Sequence, residues 1–299
     1  MRPLGAALLC LALAGCQARR SESLLIDPAL ESLVPADTIF VAGANVDTIR
    51  DTPVYQKLLG RMPLPQLDEF SRRTGLDPRK DLSQVLSSTN GKSGLLMARG
   101  KFRTQETEAR LEANGAKRFA YKKYSLFGDE RAAIFFLNAS TAIGGPAPEL
   151  RSIIDQTGAR GLPAPLRDLL RSLPADDQIY AALAGGLEGL NLAVPEGSNL
   201  GNVTNALRAI DSATLGMDLR KGIAVTAEVT SKTERDAKFV HDMVKGLVGL
   251  GRLNTPDSHP EILKLYDAIQ VTQQQTHTRV TADIPADLAD RFLDLWLKR

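Results

Sequence analysis

The chain has 299 residues, with 37 Lys and Arg against 35 Asp and Glu, a formal net charge of +2. That balance gives no electrostatic case for nucleic acid, and aromatic residues at 5% offer neither a sugar-stacking groove nor a Trp-rich binding patch. Two cysteines, Cys10 and Cys16, and three histidines leave little for disulfides, thiolate metal sites or histidine-based hydrolysis.

The amino terminus is organised as an export signal. Arg2 gives a positive start, and Leu4 to Leu13 form an apolar run of about ten residues, too short to span a bilayer core of roughly 30 Å as a helix. Small residues follow at Ala14 and Gly15, and then a cysteine. Leu13-Ala14-Gly15-Cys16 resembles the lipobox of bacterial lipoproteins. The resemblance implies cleavage between Gly15 and Cys16, a diacylglyceryl thioether on Cys16 and acylation of the new amino terminus. Each buried methylene contributes about 0.8 kcal/mol, so two or three acyl chains make a lasting anchor where one is marginal. Gln17, rather than an aspartate, follows the cysteine, which implies the periplasmic side of the outer membrane in a diderm host.

On this basis residues 1–15 are a signal peptide, residues 16–27 are a lipidated tether, and the membrane is reached through the lipid on Cys16. Loss of Arg2 leaves 36 basic against 35 acidic side chains. Cys10 is discarded and Cys16 is committed to lipid, so the mature body has no thiol for redox, metal or nucleophilic chemistry. It has about 270 residues, enough for a large core without staples.

The body repeats one order of elements. Pro28 to Phe40 (PALESLVPADTIF) and Pro165 to Tyr180 (PLRDLLRSLPADDQIY) each carry a short amphipathic helix that ends at Pro-Ala-Asp and leads into a β-rich stretch. A helix then opens at Thr52-Pro53 in the first half and near Asn202 in the second. Hairpins follow: Val85–Thr89 with Gly94–Arg99 around a two-residue Asn90-Gly91 turn, and Ala213–Leu219 with Ile223–Val229 around Lys221-Gly222. Helices start at Thr104 and at Ser231, where Ser231 and Glu234 match a capping box. A second strand pair follows in each half, Phe119–Leu126 with Ala132–Leu137, and Ala268–Gln274 with Thr276–Ile284. Proline-started helices close the halves at Pro146–Asp155 and Pro285–Trp296.

The fold class expected is therefore α+β, in two similar halves, 28–157 and 165–299, each β-α-β-β-α-β-β-α with a mainly antiparallel sheet covered by helices. The alternative is chance recurrence of Pro-Ala-Asp in an ordinary α+β chain. Phe70 to Leu86 (FSRRTGLDPRKDLSQVL) adds a second likeness. Its Thr-Gly-Leu-Asp-Pro and Asp-Leu elements resemble a segment of an uncharacterised family of duplicated, exported bacterial α/β proteins, which implies a fold and no activity. In physical terms Gly75 ends one helix, Asp77 caps the next and Pro78 opens it.

No residue set carries a catalytic signature. Asn90-Gly91-Lys92-Ser93 ends like a phosphate-binding loop, but the required earlier glycine falls at Leu86 and a strand follows instead of a helix. His241, His259 and His277 have no partner at metal-ligand spacing. No Gly-x-Ser-x-Gly elbow occurs, and the pairs Asp129-Glu130 and Asp176-Asp177 suit turns and caps better than acid-base work. Gly185, Gly186 and Gly189 read as a loop that could line a ligand cleft, and Gly246, Gly249 and Gly251 read as the end of a helix. Catalytic residues, metal and cofactor are therefore each expected to be none, and no ligand-binding residue is assigned.

Three functions remain. The first is a non-enzymatic envelope lipoprotein, a binding or scaffold module that meets protein partners, the second a carrier or sensor of a small apolar ligand or lipid between the halves, and the third a hydrolase built from distant segments. A shallow exposed apolar patch favours the first, a dry apolar cavity the second, and carboxylates converging with His277 or His259 the third.

Overall fold

A computed structural model describes residues 23–61, 65–186 and 208–297, so Gly15, Cys16, Gly189 and the helix expected near Asn202 lie outside the described residues. The first part of the body runs α1 (Pro28–Glu31), β1 (Phe40–Asn45), α2 (Val46–Arg50), α3 (Pro53–Arg61), α4 (Pro65–Thr74), α5 (Pro78–Asp81), β2 (Leu82–Thr89), β3 (Gly94–Gly100), α6 (Thr104–Ala113), β4 (Arg118–Tyr121), β5 (Tyr124–Gly128), β6 (Ala133–Asn138), β7 (Thr141–Gly145) and α7 (Ala147–Asp155). The second runs α8 (Ala164–Arg171), β8 (Ile179–Ala184), β9 (Ile210–Asp218), β10 (Gly222–Ser231), α9 (Glu234–Leu253), α10 (Pro260–Asp267), β11 (Ile269–Gln274), β12 (His277–Pro285) and α11 (Ala286–Leu297). The fold is α+β, and every pairing among the described strands is antiparallel.

These strands form one 12-stranded sheet in the order β11-β12-β10-β9-β8-β1-β2-β3-β7-β6-β5-β4. Outward from the central β1–β8 pair, each side has the same connectivity: β1-β2-β3-β7-β6 on one, β8-β9-β10-β12-β11 on the other. The β4–β5 hairpin is additional to the first side.

Local chemistry sets the boundaries. Asp77 Oδ1 accepts from the Arg79 backbone N–H at 3.1 Å, Pro78 opens α5, and Gly75, with φ of 75°, follows α4, all as the sequence indicates. Other boundaries differ. The β2–β3 connection has four residues, Asn90 to Ser93, because Asn90 Oδ1 accepts from the N–H groups of both Lys92 and Ser93. The cap of α9 is Thr233, which accepts from Asp236 N–H at 3.1 Å, while Ser231 still belongs to β10. In place of the one strand pair expected over residues 119–137 there are two hairpins, and β7 has no counterpart in the expected order. The helix holding Gly246, Gly249 and Gly251 continues to Leu253, and Gly251 makes room for the Tyr266 ring of α10.

Paired residues on neighbouring strands share a face. Val41 opposes Ala182, Ala182 opposes Thr214, Thr214 opposes Glu228, and Glu228 opposes Arg279, so one face runs through all five. On the β1 side this face holds the main core, with Val41, Leu86, Met97, Phe135 and Ile143 packed against Leu30 of α1, Leu150 of α7 and Leu166 of α8. Across β10, β12 and β11 the same face carries Thr226, Glu228, Arg279, Thr281 and Thr272. The other face there presents Val225, Ala227, Val229, Val280, Ala282 and Val271. α9 packs on it through Val240 against Val229, and Thr278 donates to the Ala237 carbonyl of α9 at 3.0 Å. On the β3–β6 side that face holds a smaller core of Leu76, Phe102, Phe136 and Ala142.

Leu24 and Ile26, which the sequence places in the tether, are buried in the main core, and Leu24 N–H donates to the Leu173 carbonyl at 3.1 Å. The packed body therefore includes residues 23–26. Leu24→Ala is expected to lower the unfolding free energy by about 2–4 kcal/mol in urea titrations, whereas substitution of a true tether residue would leave it unchanged.

Candidate functional site

A polar concavity lies where β1, β8 and β9 end together. Pro174 to Gln178 turn the chain into β8, with Asp177 N–H donating to the Pro174 carbonyl at 3.2 Å. Gln178 then joins both neighbours: its N–H donates to the Met217 carbonyl at 2.9 Å and its carbonyl accepts from Asn45 N–H at 2.8 Å. Its side-chain Oε1 accepts from Leu219 N–H at 2.6 Å, and Nε2 reaches Asp218 Oδ1 at 3.3 Å.

Arg220 is clamped on two sides. Its Nε and Nη2 bond the Asp218 carboxylate at 3.0 and 2.7 Å, and its Nη1 lies 2.9 Å from Asp176 Oδ1. The hydrogen bonds from Arg220 hold the Asp218 carboxyl down to about 2. Asp177 is left out of this arrangement. It is 9% exposed, and its Oδ2 is buried without a hydrogen-bond partner against Gly216, where a Cβ would collide with the carboxyl. Burial first, and then the charges of Asp218 and Asp176, push its carboxyl up to about 6. Asn45, Thr48, Asp51 and Thr52 complete a cleft of about 380 Å³. It can exchange a proton near neutral pH and accept hydrogen bonds. It contains no histidine, cysteine or serine to act with that proton.

The first Pro-Ala-Asp turn has a different outcome. Asp37 accepts from Asn90 Nδ2 at 2.7 Å, and the next residue is Thr38 in place of an acid. Thr38 and Ser88 are buried there with unpaired hydroxyls, and Ser93 donates to Glu149 Oε1 at 3.1 Å. The Asn90–Ser93 turn is thus tied to Asp37 and Glu149. It opens no helix that could receive a phosphate.

The histidines are dispersed. His241 Nδ1 lies 2.8 Å from Asp242 on α9, His259 precedes α10 with Glu261 at 3.6 Å, and His277 on β12 is 3.2 Å from Thr230 Oγ1 and 3.7 Å from Glu228. None lines the Asp177 cleft. Among the described residues no group of three or more His, Cys, Asp or Glu is placed to hold a metal ion. Asp129 takes the turn role expected of it, accepting from the N–H groups of Arg131 and Ala132, and Glu130 pairs with Arg151. Gly185, with φ of 88°, borders a shallow cleft with Asp168, Leu169 and Asp211. Asp177, which the sequence places in an acid pair suited to turns and caps, is instead the buried carboxyl of this cleft, and its signal is an acid where the other Pro-Ala-Asp turn has threonine.

Asp177 gives a defined pH dependence. Its folded-state value lies above the ordinary 3.8, so between about 4 and 6 the native state binds more protons than the unfolded one and stability falls as pH rises. Asp218 has the opposite sign, its contribution being lost as pH falls below 4 toward 2. Asp177→Asn should therefore raise stability by about 1 kcal/mol above pH 7, after allowance for solvent screening, and change it little at pH 4. Urea unfolding at the two pH values measures the difference.

No protein-family model matches the chain, and no curated protein matches it. Solved structures do align with it along most of its length. Crystal form III of TP0453 aligns with a TM-score of 0.54 at 10% identity, over 92% of this chain and 99% of that one. Crystal form I of the same protein aligns with a TM-score of 0.49 at 9% identity, over 90% of this chain and 97% of that one. At this identity the likeness to crystal form III is one of fold.

Proposed function

We propose that this chain is a lipid-anchored bacterial envelope protein that works as a non-enzymatic binding or scaffold module, built from two copies of one α+β unit. The observation that carries the binding role is an exposed apolar row on α9: Phe239 at 37%, Leu247 at 54%, Leu250 at 57% and Leu253 at 83%. These positions, with Met243, follow helical spacing along one flank, and a shallow apolar patch of this kind marks a protein-binding surface. The duplication is supported by the matching strand order on either side of β1–β8. The anchor is supported by the Leu13-Ala14-Gly15-Cys16 motif. Among the described residues no helix is long and apolar enough to cross a membrane, and the proposed attachment is through the lipid on Cys16. The outer membrane, facing the periplasm, is the proposed location in a diderm host, with other envelope proteins as partners.

Two experiments test these parts separately. Fatty-acid labelling should mark the wild-type chain and not Cys16→Ala, and equal labelling of both refutes the anchor. Crosslinking in intact envelopes should recover protein partners whose yield drops about tenfold in Leu247→Glu/Leu250→Glu with unchanged melting temperature. Recovery of monomer alone, with lipid retained on gentle extraction, replaces the scaffold with the carrier.

A further inference from the structure

The two ends of the sheet are built differently. β4 ends one side, with only four residues and with Lys117, Arg118, Lys122 and Lys123 in or beside it. Short length and positive charge are the usual protection of an open edge. β11 ends the other side with six residues, Ile269-Gln-Val-Thr-Gln-Gln, without charge, proline or register shift. No described strand pairs with its outer side.

The hairpin geometry fixes which backbone groups face outward. Gln274 opposes His277 across the two-residue Gln275-Thr276 turn. In such a hairpin the flanking pair exchanges both hydrogen bonds, and bonded and non-bonded pairs then alternate. Gln274, Thr272 and Gln270 therefore bond inward to β12, while Gln273, Val271 and Ile269 direct N–H and C=O away from the sheet.

We infer that this edge is where two copies of the chain associate, β11 against β11 in antiparallel register with the two-fold axis at Val271. This register satisfies all three outward residues of each copy at once, with about six main-chain hydrogen bonds. Val271 meets its own symmetry mate, Ile269 faces Gln273, and Gln270 faces Thr272 on the opposite face. No charge meets a like charge. Pairing of β11 with β4 is disfavoured because it would bring the charged, protected edge into the contact, leave an unprotected β11 at one end of every assembly and propagate as a filament. A six-residue edge is small, so the dimer is a weak one. This inference is independent of the anchor and of the α9 surface.

The test is sedimentation of the full chain in detergent over a range of concentrations. Wild type should show a reversible monomer–dimer equilibrium. Gln273→Pro removes one outward N–H, keeps the β11–β12 bonds and alters an exposed side chain, and should weaken dimerisation at least about tenfold. Thr272→Lys, on the exposed polar face, gives the same direction if the proline variant does not fold. Gln270→Cys/Thr272→Cys should form a disulfide-linked dimer on mild oxidation beyond any that wild type forms through Cys10 or Cys16. Monomer at every concentration, species larger than a dimer, or a dimer unaffected by both edge variants overturns the inference.

Discussion

The antiparallel pairing of β1 with β8 is the constraint on which the rest of the structure depends. It aligns Phe40 with Leu183, Val41 with Ala182, Ala42 with Ala181, Gly43 with Tyr180 and Ala44 with Ile179. Small residues dominate the seam, and the Tyr180 ring lies across Gly43, a position where any Cβ would overlap it. Tyr180 is 6% exposed, and burial, followed by the charge of Asp27, pushes its hydroxyl up to about 12. Beyond the seam, Lys57 of α3 lies 3.3 Å from both Asp290 and Asp294 of α11, so the helical layer is joined across the same boundary. Without this strand pair each side would expose a long central edge, and the sheet would become two open ones.

The register set there decides what each face must be. A face that is core at Val41 and Ala182 becomes polar by Glu228 and Arg279, on β10 and β12 beyond β8. The β1 side is consequently covered on both faces, while β10, β12 and β11 are covered on one and solvated on the other. Asp177 sits where this change occurs. Tyr180 and Gly216 belong to the buried part of the face, so a carboxyl placed over Gly216 loses its water, whereas Asp218 a few residues away retains a guanidinium partner. The contrasting proton affinities of Asp177 and Asp218 follow from position along one strand end.

Much of this was legible in the sequence where short-range chemistry decides. Asp77-Pro78, Pro53, the alternation in residues 223–229 and 277–284, and the closing helices at Ala147 and Ala286 all appear where propensity and periodicity place them. The failures share a cause. Thr141 to Gly145 is a strand only because β6 and β3 pair with it on either side, and Leu24 and Ile26 are core only because α8 and β1 lie beneath them. Asp177 is similar: its chemistry arises from Gly216, far along the chain on β9. Pattern within a window cannot report contacts between windows.

The burial of Leu24 also bears on how an anchored body would be presented. If Cys16 holds the lipid, only the six residues Gln17 to Glu22 separate it from the packed chain at Ser23. Six residues span at most roughly 20 Å, so the body is kept close to the bilayer. The chain enters the fold beside Pro174, on the face covered by α1, α7 and α8. α9 packs on the opposite face, through Val240 and Val229. Such a leash would be rooted on the face of the sheet opposite the one on which α9 packs, so the exposed leucines of α9 and the point of attachment belong to different faces.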